Sequence, residues 1–324
     1  MFSYLLRYLL CYYVVYHQSS SKHSRMSFFS NKVLKIFGHF GVDYDFPLQI
    51  NLELSRSCNL KCTFCPREQA SQYGNIDFKV AKKVIDEATC LKKPTVFGLH
   101  MWGEPLLNPD IFKIIKYIKQ SHSGHRVTLT TNGFLLNSKK SADLLATQID
   151  QVIVSYHSDS SEKMKELIGR DLEKSVLDSN IKSLIKLKSQ QGVNTNIVIR
   201  TFGDDVSINN FEGASREDKE YDNSAGHTPN FSRKLTVNNR WPCYRLWLTT
   251  TIAANGDITP CCVDLHHDLK LGNIKETNLK TAWSGYRLKE MRQQHIQNKF
   301  SSKCDICKGC DTWQEMADLG IRSI

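Results

Sequence analysis

What the 324-residue chain lacks narrows it first. No apolar run reaches the ~20 residues that a membrane-spanning helix needs. The most apolar stretch, residues 1–16 (MFSYLLRYLLCYYVVY), is too short and carries Arg7 inside it. It lacks the basic start and small-residue cleavage site of a secretory signal. Two readings stay open for it: an interfacial, peripheral membrane-binding segment, or a non-native extension ahead of a true start at Met26. The polar residues 18–25 read as a linker under both. No repeat of fixed period is visible. The formal net charge is +10, but the positive residues come as scattered doublets such as Lys82-Lys83, Lys92-Lys93 and Lys139-Lys140. No RNA-binding motif accompanies them, so a solvated basic surface is the simpler reading and nucleic acid is not an expected partner.

Cysteine is plentiful by contrast. Eleven occur, most of them at ligand-like spacings. That favours a reducing, cytoplasmic location and metal binding over disulfides. A hydrophobic content of 40% is ordinary for a folded soluble chain, and the length suffices for a substantial core.

From Leu48 the pattern alternates strand and helix. Residues 48–54 alternate apolar and polar, as a strand does. A helix is expected from Asp77, its N-cap, to Leu91, then a strand over 95–100 and a helix over 110–120. A third strand covers 126–130, a helix 139–147, a fourth strand 151–156, a helical region 173–191 and a fifth strand 195–200. Short connections between them predict a parallel sheet with right-handed crossovers. Residues 203–235, with a charged run from Arg216 to Asp222, read as a loop-rich connection over the mouth that leaves a sixth strand unresolved. Beyond it, 247–254 is β-rich, Asn255-Gly256-Asp257 signals a hairpin turn, and one helix is expected from Leu279 to Gln297 with Tyr286 on its apolar side.

The chain is organised around Cys58, Cys62 and Cys65, spaced C-x3-C-x2-C just after the first strand. A loop this tight aims three sulfurs at one region, and a four-iron cluster held by three thiolates keeps one iron open for a small molecule. A zinc knuckle is the competing reading, but it needs a fourth ligand nearby. No cysteine or histidine lies between Cys65 and Cys90. Parallel α/β folds place their chemistry at this end of their strands.

This triad, with aromatic Phe64 before its last cysteine, resembles the radical S-adenosylmethionine (SAM) enzymes. Gly103-Glu104-Pro105 follows the second strand, where that family binds the methionine ammonium of the cofactor. Carboxylate-to-ammonium hydrogen bonds are strong in a partly dry site. The family has a second glycine where this chain has Trp102. The resemblance further implies Phe64 beside the adenine, and Thr131, Asn132 and Ser155 as bonds to the ribose or the methionine carboxylate. Arg200, at the end of the fifth strand, could meet a carboxylate. For each of these the alternative is a satisfied strand-end polar group.

The C-terminal cysteines Cys243, Cys261, Cys304 and Cys307 resemble the SPASM/twitch branch, whose short form holds one auxiliary four-iron cluster. Cys262 and Cys310 are rival ligands, and a four-cysteine zinc site is the structural alternative. Cys11 and Cys90 belong to no constellation, and Cys90 reads as a core residue of a helix. His266-His267 reads as part of a turn.

The resemblance spans residues ~48 to 310. It implies an α/β protein, a partial (β/α)6 TIM-like barrel over 48–235 and a small α+β twitch/SPASM cluster domain over 236–324, after an N-terminal extension over 1–47. It also implies SAM, a SAM-binding [4Fe-4S] cluster and a second, auxiliary [4Fe-4S] cluster. The expected reaction is reductive SAM cleavage and hydrogen abstraction, with net two-electron oxidation of a sugar, polyol or nucleotide-sugar alcohol. A flavodoxin- or ferredoxin-type protein would donate electrons. His157, Arg200 and Arg216 are the candidates for managing the hydroxyl proton. The alternatives are a peptide maturase, an RNA-modifying enzyme and a non-catalytic metal-binding scaffold.

Overall fold

The computed structural model describes residues 46–71, 74–202, 206–207, 209–233, 242–301 and 304–314. The apolar segment 1–16, the linker behind it and Cys11 lie outside these residues. Nine strands form one sheet in the order β6-β5-β4-β3-β2-β1-β7-β8-β9. They are β1 (Gln49–Leu52), β2 (Val96–Leu99), β3 (Arg126–Thr131), β4 (Gln151–Tyr156), β5 (Asn196–Phe202), β6 (Ser215–Lys219), β7 (Thr249–Ile252), β8 (Asp257–Thr259) and β9 (Gly272–Asn273). All neighbours from β6 to β7 are parallel. Beyond β7, β8 pairs antiparallel with β7 and β9 antiparallel with β8, so β8 alone runs against the rest. The result is an open partial barrel, and the C-terminal unit continues its sheet through β7 beside β1 rather than standing apart.

The two-residue period of each strand sorts its side chains. Ile50, Leu52, Phe97, Leu99, Val127, Leu129, Val152, Val154, Ile197 and Ile199 enter the main apolar core. Gln49, Val96, Thr128, Thr130, Gln151, Ile153 and Arg200 face a cavity inside the barrel instead. Helices cover the apolar side: α1 (Phe78–Cys90), α2 (Ile111–Ser121), α3 (Ser138–Leu145), α4 (Ser161–Ile168) and α5 (Lys174–Gln191). Asp77 caps α1 by accepting from the Lys79 N–H at 2.6 Å, and α1 buries Ala81, Val84, Ile85 and Ala88. Cys90, expected in the core, is exposed because it is the last residue of that helix.

Three further expectations change. The sixth strand lies within the charged run: Glu217 turns in to Arg200, while Arg216 and Asp218 pair on the outer side. Charges suit such an edge strand because they discourage further strand pairing. The β-rich stretch from Trp247 begins with a helical turn, α6 (Arg245–Leu248), before β7. The helix expected over 279–297 is two, α7 (Leu279–Ser284) and α8 (Tyr286–Gln297), because Gly285 is extended at φ −66° and ψ 156°. That break leaves Tyr286 78% exposed, while Trp283, Leu288 and Met291 enter a second core with Leu246, Trp247, Leu248, Leu269 and Cys304. A short helix, α9 (Asp305–Gly309), follows Cys304, and a 3-10 turn over Thr312–Gln314 comes after it.

Below the sheet, buried His125 accepts the Thr95 N–H on Nδ1 at 3.2 Å, and its Nε2 lies 3.2 Å from the Thr89 hydroxyl. Burial pushes its pKa down to about 4, with His122 and Lys119 adding to the effect. A histidine depressed in the folded state binds its proton more readily when unfolded, so stability is full above about 6.5 and falls as pH drops toward 4. We expect a loss of about 2 kcal/mol from this group at pH 5. Urea unfolding at pH 7 and pH 5 should show a smaller pH-dependent difference in His125→Gln than in wild type; an equal difference would sink this account.

Candidate active site between two cysteine groups

The first cysteine loop leaves β1 through Ser55, Arg56 and Ser57. Arg56 is fully buried: it donates to Glu53 at 2.9 Å and to the Leu265 carbonyl at 2.7 Å. The other Glu53 oxygen accepts the Ala254 N–H at 3.0 Å. This pair ties the start of the loop to the C-terminal unit. The loop is seated by α4, a helix absent from the sequence reading. Carbonyls at a helix C-terminus lack intrahelical partners. Here those of Ile168 and Leu167 accept the N–H groups of Lys61 and Thr63 at 3.0 and 2.9 Å. Gly169 ends α4 at φ +61°, and a Cβ there would sit 2.1 Å from the Lys61 carbonyl oxygen. The signals were present in the chain: Ser160 caps α4 and glycine closes it.

Cys58, Cys62 and Cys65 are half-buried. Burial pushes Cys58 up to about 11 and raises Cys62 and Cys65 as well; the neighbouring thiols add to the rise at Cys58 and Cys62. Three desolvated thiols within charge range of one another call for a cationic group to hold them as thiolates. Among the described residues, no three His, Cys, Asp or Glu side chains close on a single metal ion. Three thiols on one loop, with no further cysteine or histidine before Cys90, suit a cluster that keeps one iron open better than a four-ligand zinc site.

Gly103, Glu104 and Pro105 meet this loop directly. The Glu104 N–H donates to the Ser57 carbonyl at 2.8 Å. Gly103 packs on the same backbone so closely that a Cβ would lie 2.0 Å from the Ser55 oxygen and 2.6 Å from the Ser57 oxygen. The Glu104 carboxylate is buried. Its Oε1 accepts from Leu106 N–H at 3.0 Å and from the Thr131 hydroxyl at 2.8 Å, and its Oε2 accepts the Asn132 N–H at 2.9 Å. Burial raises its pKa against those three donors. Asn132 then reaches back, its Nδ2 2.9 Å from Asn59 Oδ1 and 3.8 Å from the Cys58 sulfur. Ser155 lies further along the sheet, opposite Arg200 in the β4–β5 ladder.

Phe64 enters an aromatic wall. Its ring centroid lies 4.5 Å from His157 and 4.7 Å from Tyr221, and His157 stacks on Phe202 at 4.8 Å. His157 Nδ1 is 2.9 Å from the Tyr221 hydroxyl, and burial pushes its pKa down to about 3. It is thus neutral at pH 7, as a part of that wall. Arg200 lines the cavity and is fixed by Glu217 at 3.0 Å. Arg216 points away from it, to Asp218 at 2.6 Å and the Val206 carbonyl at 3.0 Å, because it occupies an outward position on β6. The cavity holds about 360 Å³ and runs from Phe64, Cys65 and Trp102 to Tyr244, Arg245 and Cys262. Tyr221, Phe202 and Arg245 were invisible to motif reading, since only the sheet brings them to this wall.

The second cysteine group meets the cavity through Cys262. Cys304 is fully buried and shares a thiol hydrogen bond with Cys307, both being free cysteines, so that the Cys307 thiol is raised and that of Cys304 lowered. Burial drives Cys261 well above its ordinary value, with Cys262, Cys243 and Cys310 all near enough to add to it. The Cys243 N–H donates to His295 Nδ1 at 3.2 Å. Cys261 packs into the C-terminal core, while Cys262 faces the cavity with Arg245 Nη1 2.8 Å from its sulfur. Consecutive residues thus turn to different surroundings, and the sulfurs still gather: Cys307 lies within charge range of Cys304, Cys261 and Cys243, and Cys261 within range of Cys262, Cys243 and Cys310. His267 is engaged elsewhere, with Asp257 at 3.0 Å.

Residues 52–205 match the radical SAM superfamily, and residues 243–311 match an iron–sulfur cluster-binding domain family. The S-adenosyl-L-methionine-dependent 2-deoxy-scyllo-inosamine dehydrogenase of Niallia circulans is 24% identical over 272 residues, 81% of this chain and 92% of that one. A crystal structure of BtrN in complex with AdoMet and 2-DOIA superposes with a TM-score of 0.59 at 19% identity, covering 83% of this chain and 94% of that chain. Streptococcus suis SuiB bound to the precursor peptide SuiA gives 0.63 at 17% identity, over 88% and 74%. At these identities the solved structures speak for the fold.

Proposed function

We propose, because this chain belongs to the radical SAM superfamily and carries an iron–sulfur cluster-binding domain, that it reductively cleaves SAM and oxidises an alcohol carbon of a sugar, polyol or aminocyclitol. The observation that carries this reading is the cavity of about 360 Å³ lined by Cys65 of the first cysteine loop and by Cys262, the neighbour of Cys261 in the second group. Its hydroxyl, amide and guanidinium side chains, among them Thr128, Thr130, Gln151, Thr249 and Arg200, suit a small, hydroxyl-rich substrate. Cys58, Cys62 and Cys65 would hold the SAM-binding cluster, and Cys243, Cys261, Cys304 and Cys307 the auxiliary one. When bound, the clusters and SAM supply a carbon radical that removes hydrogen from the substrate and a sink for the second electron.

The chain's own residues bind, orient and exclude water. Glu104, Thr131 and Asn132 form the SAM seat beside the first loop, with Phe64 as its aromatic side and Ser155 further along the sheet. Arg200 is the one cavity-lining member of the three proton-handling candidates, and its guanidinium can orient the substrate oxygen. Glu220 on the same wall can take the hydroxyl proton. His157 serves by fixing Tyr221, and Arg216 by bracing the edge of β6. A flavodoxin- or ferredoxin-type protein would supply electrons. No helix among the described residues is long and apolar enough to cross a membrane. A cytoplasmic location suits the oxygen-sensitive clusters.

The test is anaerobic reconstitution followed by SAM and a strong reductant, with Cys58→Ala as control. Wild type should hold about eight irons, as two four-iron clusters require, and release 5′-deoxyadenosine. The control should release none. An aminocyclitol, a polyol, a nucleotide-sugar and a peptide then compete as substrates; the reading predicts ketone formation from one of the first three. Zinc in place of iron, or no SAM cleavage, would overturn it.

A further inference from the structure

One wall of the cavity comes from a segment that belongs to neither cysteine group. Glu220, Tyr221, Asp222, Ser224 and Arg233 all line the cavity. The same segment touches the first cysteine loop. The Tyr221 and Phe231 rings lie 4.7 and 6.1 Å from Phe64, and Gln69 Nε2 donates to the His227 carbonyl at 3.4 Å.

Its other anchor is the cysteine-rich tail. Asp311, buried just past Cys307 and Cys310, accepts the Asn223 N–H at 3.0 and 3.1 Å and the Arg233 N–H at 2.8 Å. One carboxylate thereby holds both ends of the segment. Asn223 answers: its Nδ2 donates to the Gly309 carbonyl at 2.7 Å, and its Oδ1 accepts from the N–H groups of Asp311 at 3.3 Å and Gly226 at 3.2 Å. The turn between needs such holding. Ser224 and Ala225 sit at φ 47° and 58°, a region that non-glycine residues occupy only under constraint.

We propose that residues 220–233 form a strap over the substrate cavity, seated by the second cysteine group through Asp311, a positioning residue. This rests on the reading that Cys304 and Cys307 hold a cluster. Gathering those two cysteines fixes α9, which starts after Cys304 and contains Cys307, and with it the Gly309–Asp311 backbone. The strap follows that backbone. Glu104, Thr131 and Asn132 bond to one another and to the first loop instead. Assembly of the auxiliary cluster therefore organises the substrate wall and the Phe64 side of the SAM seat that it touches, and leaves the Glu104, Thr131 and Asn132 bonds of that seat in place. Coupling of this kind draws on segments of low local stability, which amide exchange reports.

The experiment is amide hydrogen exchange on anaerobically reconstituted wild type, Asp311→Ala and Cys304→Ala, with iron analysis and SAM binding on the same samples. Amides within 220–233 should exchange about tenfold or more faster in both variants, while those of 57–65 stay within about twofold. SAM affinity should fall by less than about tenfold, because the Glu104 bonds persist while Phe64 loses its contacts with Tyr221 and Phe231; a general loss of structure would abolish binding. Asp311→Ala should keep about eight irons and Cys304→Ala about four. Unchanged exchange across 220–233 in Cys304→Ala, with half the iron gone, would overturn the proposal, as would faster exchange throughout the chain. Full iron in Cys304→Ala would instead refute Cys304 as a required ligand of the second cluster, and the Asp311→Ala exchange would still decide whether the tail seats the strap. Should Asp311→Ala fail to fold, Asn223→Ala removes the reciprocal bonds and is held to the same exchange criterion.

Discussion

Gly103→Ala is expected to lose the first cluster and with it all SAM cleavage. The added Cβ would stand 2.0 Å from the Ser55 carbonyl oxygen and 2.6 Å from that of Ser57. Both obstacles are backbone, so no side-chain rotation relieves them. Either the 55–57 backbone shifts, taking Cys58 with it, or the Glu104 N–H leaves the Ser57 carbonyl that it bonds at 2.8 Å. Forced overpacking of this kind costs about 3 kcal/mol or more. Iron content should fall from about eight to about four per chain, because the added Cβ meets the Ser55–Ser57 backbone and no residue of the second cysteine group. Gly309→Ala is the matched control: a Cβ there meets nothing within 4 Å, so stability should move by less than about 0.5 kcal/mol. Iron analysis, thermal unfolding and 5′-deoxyadenosine release check all three statements. A Gly103→Ala protein with full iron and normal SAM cleavage would show that this close approach is dispensable.

Much of this arrangement was legible in the chain because it is local. A tight cysteine loop after an alternating strand, and a Gly-Glu-Pro turn after the next, are contiguous motifs whose geometry follows from their spacing. The strand–helix alternation was legible for the same reason, since apolar period and caps act within a few residues. What escaped depends on long-range pairing. β6 carries Ser-Arg-Glu-Asp-Lys, which has no apolar face to betray it; it becomes a strand because β5 offers a ladder and Arg200 offers Glu217 a partner. α4 was short and polar enough to pass for a loop, although its cap and terminal glycine marked it. The divergence of Cys261 and Cys262 is settled by Arg245 and the C-terminal core, elements the local sequence does not reveal. Gly285 splits the expected C-terminal helix because its extended backbone begins a second one, and periodicity alone runs straight through such a break.

Glu104→Gln is expected to weaken SAM binding by about 100-fold or more, equivalent to about 2.7 kcal/mol. A carboxylate offers about four acceptor sites. Three are taken by the Leu106 N–H, the Thr131 hydroxyl and the Asn132 N–H, which leaves one on Oε2 for an ammonium. Those donors fix the group in place, so the substrate-side charge is oriented before SAM arrives. Glutamine keeps the shape but must turn an NH2 group toward at least one of these donors. That leaves a buried clash of like groups and costs stability by about 1–3 kcal/mol besides removing the charge. The raised pKa of Glu104 adds a pH signature. An acid whose pKa is raised in the folded state takes up a proton at higher pH than in the unfolded chain, and a proton competes with a cationic ligand for the same oxygen. SAM affinity of the wild type should therefore fall as pH is lowered toward a midpoint above the ordinary glutamate value of about 4.3. Glu104→Gln should bind weakly at every pH, with that dependence gone. Isothermal titration of SAM between neutral and mildly acid pH separates the outcomes. If the variant binds SAM as tightly as wild type and follows the same pH curve, the ammonium is held elsewhere and Glu104 serves only to pin the turn between β2 and β3.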